Sequence, residues 1–222
     1  MNGGEGTAAA ARPIRVGIVD DHAIIRKSLS DFLRAAGTLE VVGQAATGRD
    51  AVELARTVPM DVLLLDIDMP GQNGIDAIPH ILARENAPAV LMLSAHPPAV
   101  YGVSLMAKGA SGYLSKACDP QEIVRAITVV AKGCKYVDQD VGTLLAERSV
   151  APEEELPHHK LTNREFQIFL RFAQGQSSQD AARDLSVSHK TVLCYRVRVM
   201  KKMQARTNSE LTYYALKHKL IA

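Results

Sequence analysis

The sequence predicts a doubly wound α/β domain with a five-stranded parallel sheet, followed by a small all-α domain of four helices. Three observations predict this architecture. Five apolar segments alternate with helical patterns between residues 14 and 132, which is typical of a doubly wound parallel sheet. From residue 160 onwards the apolar residues recur with a helical period. Between these regions lies a segment rich in Pro and Glu, typical of a linker.

The predicted strands are mostly short apolar runs without alternation, which fits strands covered on both faces. They span residues 14–19, 39–45, 61–66, 89–93 and 112–114. The helices that follow them are predicted over residues 22–36, 48–58, 75–84, 99–108 and 120–132. Pro79 is compatible with the third of these helices only near its first turn.

The helices of the second domain have recognisable start signals. Thr162 and Glu165 form a capping box, Ser188 is a suitable N-cap for the third helix, and Asn208 or Ser209 is suitable for the fourth. These helices are predicted over residues 163–173, 178–185, 189–203 and 208–219. A further helix is possible over residues 137–148. The predicted divisions are a disordered tail (1–12), an α/β domain (13–134), a linker with a possible helix (135–159) and a helical domain (160–222).

Composition excludes several classes of protein. The chain has 222 residues, of which 47% are hydrophobic, and no apolar run approaches the ~20 residues that span a bilayer. The N-terminus lacks the pattern of a signal peptide, and the three cysteines are far apart, which favours a reduced, cytoplasmic setting. Residues 160–222 carry a net charge of +8 and residues 1–159 a net charge of −6. This split predicts an acidic module joined to one that binds phosphates.

Polar residues stand at the carboxyl ends of four predicted strands. They are Asp20 and Asp21, Asp66, Ser94 and Lys116. These strand ends meet at one edge of a parallel sheet, where such folds place their chemistry. Carboxylates gathered there predict a Mg²⁺ site, in which one carboxylate is a nucleophile towards phosphorus and Lys116 neutralises the transferred group. The alternative is that these groups are solvated strand ends.

This arrangement resembles the CheY-like receiver domain over residues 14–132. The matching motifs are Val-Asp-Asp at 19–21, Leu-Leu-Asp-Ile-Asp-Met-Pro-Gly at 64–71, Ser-Ala at 94–95 and Gly-Tyr-Leu-Ser-Lys at 112–116. The stretch His-Pro-Pro at 96–98 departs from the family pattern and puts the start of the fourth helix in doubt.

The resemblance implies a role for each of these groups. Asp66 would accept a phosphoryl group from a histidine kinase, and Lys116 would pair with it. Mg²⁺ would be held by the carboxylates at 20, 21 and 66 and by the backbone carbonyl of Asp68, whose side chain would be solvated. Ser94 and Tyr113 would be the switch residues and would follow the phosphate inward. Tyr113 also fits a simple core position.

A helix, a tight turn and a second, basic helix predict a helix-turn-helix. On a wheel of residues 188–203, Val192, Val199 and Met203 form the inward stripe, with Tyr195 near them. An outward face flanked by cations would enter the major groove and contact phosphates. The candidate DNA contacts are Ser188, Lys190, Thr191, Leu193, Cys194, Arg196, Val197, Arg198, Lys201 and Lys202. The alternative is a solvated basic helix in a small bundle.

Residues 160–222 resemble the LuxR-type DNA-binding domain, and both domains together resemble a NarL/FixJ-type response regulator. The matches are Leu-Thr-Asn-Arg-Glu at 161–165, Gln-Gly at 174–175, Lys-Thr-Val at 190–192 and Arg-Val-Met-Lys-Lys-Met at 198–203. Tyr195 replaces the usual His of this family, and the base-reading positions Leu193, Cys194 and Val197 are nearly apolar. Such side chains contact thymine methyls, so we expect specificity to depend on Lys190, DNA shape and half-site spacing.

The leading hypothesis is therefore a two-component response regulator that binds promoter DNA. The resemblance implies a sensor histidine kinase as partner, a homodimer after phosphorylation and contact with RNA polymerase. It implies no membrane partner. Phosphorylation would drive dimerisation or release the DNA-binding domain, and the sequence does not choose between them. One alternative is a regulator with an inert receiver. Another is a haloacid-dehalogenase-like phosphatase that uses Asp66 and Asp68, although that family carries this motif after its first strand.

Overall fold

The computed structural model describes residues 12–69, 73–96, 98–137, 142–143 and 156–221. The first domain contains a sheet of five strands: β1 (Ile14–Val19), β2 (Leu39–Ala45), β3 (Val62–Asp66), β4 (Ala89–Ser94) and β5 (Gly112–Ser115). Its helices are α1 (Ala23–Ala35), α2 (Gly48–Thr57), α3 (Gly74–Leu82), α4 (Pro98–Ala107) and α5 (Pro120–Val130). The prediction of alternating strands and helices is confirmed.

The sheet is entirely parallel, in the order β2-β1-β3-β4-β5. The central strand β3 is buried along its whole length, as its unbroken apolar run predicted. Pairing places Asp66 opposite Leu93 and Ser94 opposite Ser115, so the last residues of three strands meet at one edge. This register brings the predicted polar groups together.

Helices cover both faces of the sheet. On one face, α1 and α5 bury Leu33, Ile123 and Ile127 against β1, β3 and β4. On the other face, α2, α3 and α4 pack over the remaining strand residues. This second apolar cluster continues through Tyr101 of α4 to Phe166 in the helical domain, where the two aromatic rings meet edge to face with centroids 5.2 Å apart. The two domains are therefore in direct contact.

The second domain consists of a 3-10 turn (Pro157–Lys160) and four α-helices: α6 (Asn163–Ala173), α7 (Ser178–Asp184), α8 (His189–Met203) and α9 (Asn208–Lys217). Thr162 and Glu165 form the predicted capping box of α6, and Ser188 caps α8. The predicted cap of α9 is wrong. Thr207 is the N-cap, and its hydroxyl accepts from the backbone N–H of Glu210, whereas Asn208 is already helical.

The position of Pro79 also differs from the prediction. It is the sixth residue of α3, beyond the first turn, and is exposed to solvent. The helix ends three residues later, at Leu82, so the missing N–H interrupts only a short second half. Most of the predicted tail (1–12), of the predicted helix over 137–148 and of the linker lies outside the described residues. Within the part of the chain that the structure describes, none of the helices is long and apolar enough to cross a bilayer.

Candidate functional site

The carboxyl end of β3 is the centre of a buried charged cluster. Asp66 and Asp20 are each only 1% exposed. The Nζ atom of Lys116 lies 2.6 Å from Oδ2 of Asp20 and 2.9 Å from Oδ2 of Asp66. Burial lowers the pKa of Lys116, but the two carboxylates outweigh this effect and raise it. The predicted convergence of these three strand ends is therefore present, with the ammonium group held between the carboxylates.

Burial changes the acidity of Asp66. Removal from water disfavours the carboxylate and raises its pKa from 3.8 to about 7, although Lys116 partly opposes this shift. The charges of Asp20 and Asp68 raise this pKa further. This rise in pKa disfavours the ionised form of Asp66 at neutral pH. A divalent cation beside Asp66 would favour the ionised, nucleophilic form.

The acidic edge offers a compact set of ligands for a cation. Asp20, Asp21, His22 and Asp66 each present one potential ligand atom, and these atoms all lie within 4.8 Å of one another. The three carboxylates fit Mg²⁺, which prefers oxygen ligands and retains several waters. Sequence reasoning did not predict His22. Its Nδ1 lies 2.7 Å from Oδ1 of Asp21, and its backbone N–H donates to Oδ1 of Asp20.

Asp68 does not have the solvated side chain that the sequence predicted. One carboxylate oxygen lies 2.7 Å from Nε2 of His96, and the other accepts from Nε2 of Gln167 at 3.0 Å. Burial raises the pKa of Asp68, but the hydrogen bond and charge of His96, the charge of Arg171 and the Gln167 amide outweigh it and lower the pKa. The correction arises because Gln167 belongs to α6, which packs on this edge of the receiver-like domain.

His96 connects the predicted switch residues to Asp68. Its backbone N–H donates to Oγ of Ser94 at 3.0 Å, and its carbonyl accepts from the hydroxyl of Tyr113 at 2.6 Å. Ser94 and Tyr113 are both fully buried. In this structure the ring of Tyr113 already lies inside the domain, and its expected response to phosphorylation stays a prediction. The sequence analysis noted His96 only as a departure from the family pattern, yet His96 contacts three predicted site residues.

A glycine allows α3 to begin directly against the acidic edge. A Cβ on Gly74 would lie 1.9 Å from the carbonyl oxygen of Asp66. The backbone N–H of Gly74 donates to the carbonyl of Ile67 at 3.1 Å, and Asn73 caps the helix by accepting from the N–H of Asp76. The close approach of two backbone segments is the physical reason for glycine.

The second predicted site is the outer face of α8. The inward stripe is confirmed, because Val192, Val199 and Met203 are buried and Tyr195 is half-buried. The exposed residues of the candidate DNA face are Ser188, Lys190, Leu193, Cys194, Val197, Arg198 and Lys201. Thr191 is half-buried beside the Ser188 cap and shares a 2.7 Å hydrogen bond with its hydroxyl. An apolar surface bordered by cations thus faces solvent.

Two cations of α8 are engaged inside the helical domain. Nη2 of Arg196 donates to Oδ1 of Asn208 at 3.0 Å, and its guanidinium lies over the ring of Phe172. Nζ of Lys202 donates to Oε2 of the buried Glu165 at 2.6 Å and to the carbonyl of Lys160. Both side chains, which were predicted to flank the outer face, are half-buried and tie α8 to neighbouring elements of the domain.

Comparisons with known proteins match both parts of the chain. Residues 16–128 match the model of the response regulator receiver domain, and residues 159–215 match that of the bacterial regulatory proteins of the luxR family. The chain is 37% identical to the response regulator UvrY of Escherichia coli (strain K12) over 208 residues, which cover 93% of this chain and 95% of that protein. It is 34% identical to the response regulator GacA of Pseudomonas aeruginosa, covering 94% and 98%.

Solved structures show the same architecture. A two-component response regulator of the LuxR family from Aurantimonas sp. SI85-9A1 is 31% identical, with a TM-score of 0.58, over 63% of this chain and 99% of that chain. RcsB from Salmonella typhimurium has a TM-score of 0.66 over 94% of this chain and 99% of its own, at 23% identity. The second likeness supports the two-domain fold alone.

Proposed function

Because the chain belongs to the NarL/FixJ-type response regulators, which join a receiver domain to a LuxR-type DNA-binding domain, we propose that Asp66 is its phosphoacceptor. The chain is a two-component response regulator that controls transcription. It is not a phosphatase, since its output is a DNA-binding domain and Asp66 follows the third strand of the sheet. The proposal rests on one observation: the Asp66 carboxylate is buried beside two further carboxylates and 2.9 Å from Lys116.

The chemistry follows from this geometry. A carboxylate oxygen of Asp66 would form a bond to phosphorus while the phosphorus–nitrogen bond of a kinase phosphohistidine breaks, and the imidazole would take up a proton. Lys116, already placed between Asp66 and Asp20, would pair with an oxygen of the transferred phosphoryl group. The hydroxyl of Ser94 would leave the His96 N–H and donate to another phosphoryl oxygen.

The oxygen-rich edge fits Mg²⁺. Asp20, Asp21 and Asp66 would hold the ion together with the backbone carbonyl of Asp68. When bound, Mg²⁺ would neutralise charge on the phosphoryl oxygens. Ser94 and Tyr113 would respond to phosphorylation of Asp66. Tyr113 would hold the β4–α4 segment in place through the hydrogen bond that its hydroxyl donates to the His96 carbonyl.

We propose that α8 is the recognition helix. Structures of RcsB bound to promoter DNA in the presence of the phosphomimetic BeF₃⁻ show that a protein of this fold binds DNA. Here Lys190, Arg198 and Lys201 are exposed and would contact phosphates, while Leu193 and Val197 would face bases. Ser188, Thr191 and Cys194 lie in the N-terminal half of α8, with Ser188 as its N-cap, and would complete the contact with DNA.

The proposed partners are a sensor histidine kinase, promoter DNA and a second copy of the chain after phosphorylation, with RNA polymerase at the promoter. We place the receiver at residues 13–134, the linker at 135–159 and the DNA-binding domain at 160–222, in a cytoplasmic protein. The proposed bounds of the two domains are supported by the extents of the two family matches, residues 16–128 and 159–215.

The test compares wild type with Asp66→Asn in the presence of Mg²⁺ and either acetyl phosphate or BeF₃⁻. We expect wild type to take up the group and to change its DNA affinity or oligomeric state, whereas Asp66→Asn does neither. If both proteins change identically, Asp66 is not the switch. If a histidine kinase transfers no phosphate and DNA binding is constitutive, the inert-receiver alternative is correct.

A further inference from the structure

His22 adds a nitrogen to a set of potential ligands that otherwise consists of carboxylates. It is the N-cap of α1, yet its side chain forms no capping hydrogen bond with the helix. Its backbone N–H donates to Oδ1 of Asp20 at 2.8 Å, which fixes the residue beside the acidic edge. The imidazole faces the carboxylates, with Nδ1 2.7 Å from Oδ1 of Asp21 and 3.2 Å from Oδ1 of Asp20.

The spacing of these groups suits a single ion. The potential ligand atoms of His22 and the three carboxylates all lie within 4.8 Å of one another. Divalent cations lie about 2.0 to 2.6 Å from their ligand atoms, so ligands on opposite sides of one ion are about 4 to 5 Å apart. One ion can therefore contact a ring nitrogen of His22 together with the carboxylates.

Lys116 and His22 use different oxygens of the same carboxylate. Nζ of Lys116 contacts Oδ2 of Asp20, whereas Nδ1 of His22 lies near Oδ1. The side chain of His22 is 63% exposed and that of Lys116 only 18% exposed. The ammonium group is thus the more deeply placed of the two, and the imidazole is accessible to an ion that arrives from solvent.

A nitrogen ligand changes which cations the acidic edge can select. Mg²⁺ takes oxygen ligands and retains several waters, so carboxylates satisfy it without an imidazole. Divalent first-row transition-metal ions also take imidazole nitrogen, and their affinity for mixed nitrogen and oxygen sites rises from Mn²⁺ through Co²⁺ to Cu²⁺. A fourth ligand from His22 would therefore favour these ions over Mg²⁺.

We propose that His22 is a metal ligand of the acidic edge and gives it affinity for a divalent first-row transition-metal ion. With the ring proton on Nε2, the lone pair of Nδ1 would face the ion. The same carboxylates would hold either this ion or Mg²⁺, and His22 would distinguish between them. The inference rests on the proposed role of the carboxylates as cation ligands.

The first experiment measures the binding of Mg²⁺, Mn²⁺ and Co²⁺ to the full chain by isothermal titration calorimetry. It compares wild type with His22→Ala and with the matched control His80→Ala, which removes an exposed histidine from α3. We expect His22→Ala to bind Co²⁺ about tenfold more weakly, the lower end of the loss when a group supporting a metal ion is removed. The loss should be smaller for Mn²⁺ and absent for Mg²⁺, and His80→Ala should equal wild type.

Pulsed electron paramagnetic resonance of bound Mn²⁺ detects the nitrogen ligand directly, because a bound imidazole couples its nitrogen nucleus to the ion. We expect this coupling in wild type and in His80→Ala, and its absence in His22→Ala. The signal should change when the protein is made with isotope-labelled histidine. Since the signal is measured on wild type, it decides the question even if the variant fails to fold.

A wild-type Mn²⁺ signal without nitrogen coupling would overturn the inference, and so would a His22→Ala variant that keeps wild-type affinity for Co²⁺. In either case His22 would only pair with Asp21. A further variant, Asp21→Ala, tests the proposed cation site separately and should lose affinity for all three ions. If Asp21→Ala binds Mg²⁺ as tightly as wild type, the proposed cation site itself fails.

Discussion

Asp66 combines two demands that oppose each other. Its burial would protect a phosphoryl group on Asp66 from water, yet the same burial raises the pKa of Asp66 to about 7. Lys116 limits the shift, and a cation held by Asp20 and Asp21 would limit it further. The acidic edge is thus arranged so that the nucleophilic form of Asp66 is favoured once the edge carries positive charge.

This raised pKa predicts that Asp66 reduces stability at neutral and basic pH. Between pH 4 and about 7 the folded state keeps a proton on Asp66 that the unfolded state, with a pKa near 3.8, has lost. The contribution of Asp66 to the unfolding free energy therefore falls across this range and is constant above it. With a chelator present, Asp66→Asn should therefore be more stable than wild type at pH 8, on the order of 2 to 4 kcal/mol. The difference should shrink towards pH 4. Urea unfolding of both proteins across this range measures it.

A difference in stability that does not change with pH would contradict this prediction. If the two proteins differ by the same amount at pH 4.5 and pH 8, Asp66 does not carry a raised pKa in the folded chain. Addition of Mg²⁺ at pH 8 should stabilise wild type more than Asp66→Asn, because only wild type retains all three carboxylates.

At the scale of the element, an ion pair links α8 to α6. Lys202 contacts Glu165, which is only 3% exposed and also accepts from the N–H of Thr162 in the capping box. The last turn of α8 carries two lysines with different surroundings. Lys202 is paired inside the domain, whereas the neighbouring Lys201 faces solvent. Adjacent lysines on one helix thus have different functions.

Replacement of each lysine should separate these functions. Lys202→Met leaves Glu165 without its cation, so we expect a loss of about 1 to 3 kcal/mol of unfolding free energy, reduced from the value for fully buried pairs because Lys202 is partly exposed. Lys201→Met should change stability by less than about 0.5 kcal/mol. Urea unfolding of the full chain measures both. Equal stability of the two variants would show that the Lys202–Glu165 pair contributes nothing.

The whole molecule separates its charges by domain. The C-terminal part, residues 160–222, carries a net charge of +8, and the part before it a net charge of −6. The acidic part contains the carboxylates that could hold a cation, and the basic part exposes Lys190, Arg198 and Lys201. This division keeps the net charge of the chain at +2 while concentrating attraction for DNA on one surface.

DNA affinity should therefore depend strongly on salt. Each phosphate contact contributes about −0.9 to the slope of log K against log salt concentration, so Lys201→Met should reduce the slope by about one. Lys202→Met should change it less, because that ammonium is already paired with Glu165. Fluorescence anisotropy with one duplex at several salt concentrations measures these slopes. An unchanged slope in Lys201→Met would remove Lys201 from the phosphate contacts.

The sequence alone determined the order of the elements and most of the acidic edge. Apolar runs without alternation predicted buried parallel strands, and parallel strands end at a common edge, so Asp20, Asp66, Ser94 and Lys116 had to converge. Capping residues and helical periodicity likewise predicted the inward stripe of α8. All of these features are local in the chain or follow from the regular geometry of a sheet.

Only the tertiary structure decided which side chains these elements turn towards one another. Asp68 and Gln167 are 99 residues apart in the chain, and no periodicity relates them. The partners of Lys202 and Arg196, and the closeness of Gly74 to the backbone of Asp66, depend in the same way on packing between separate elements. A repeating pattern in a sequence indicates which face is buried. The partner of one polar group depends on where distant segments meet in space, because burial alone leaves many possible partners.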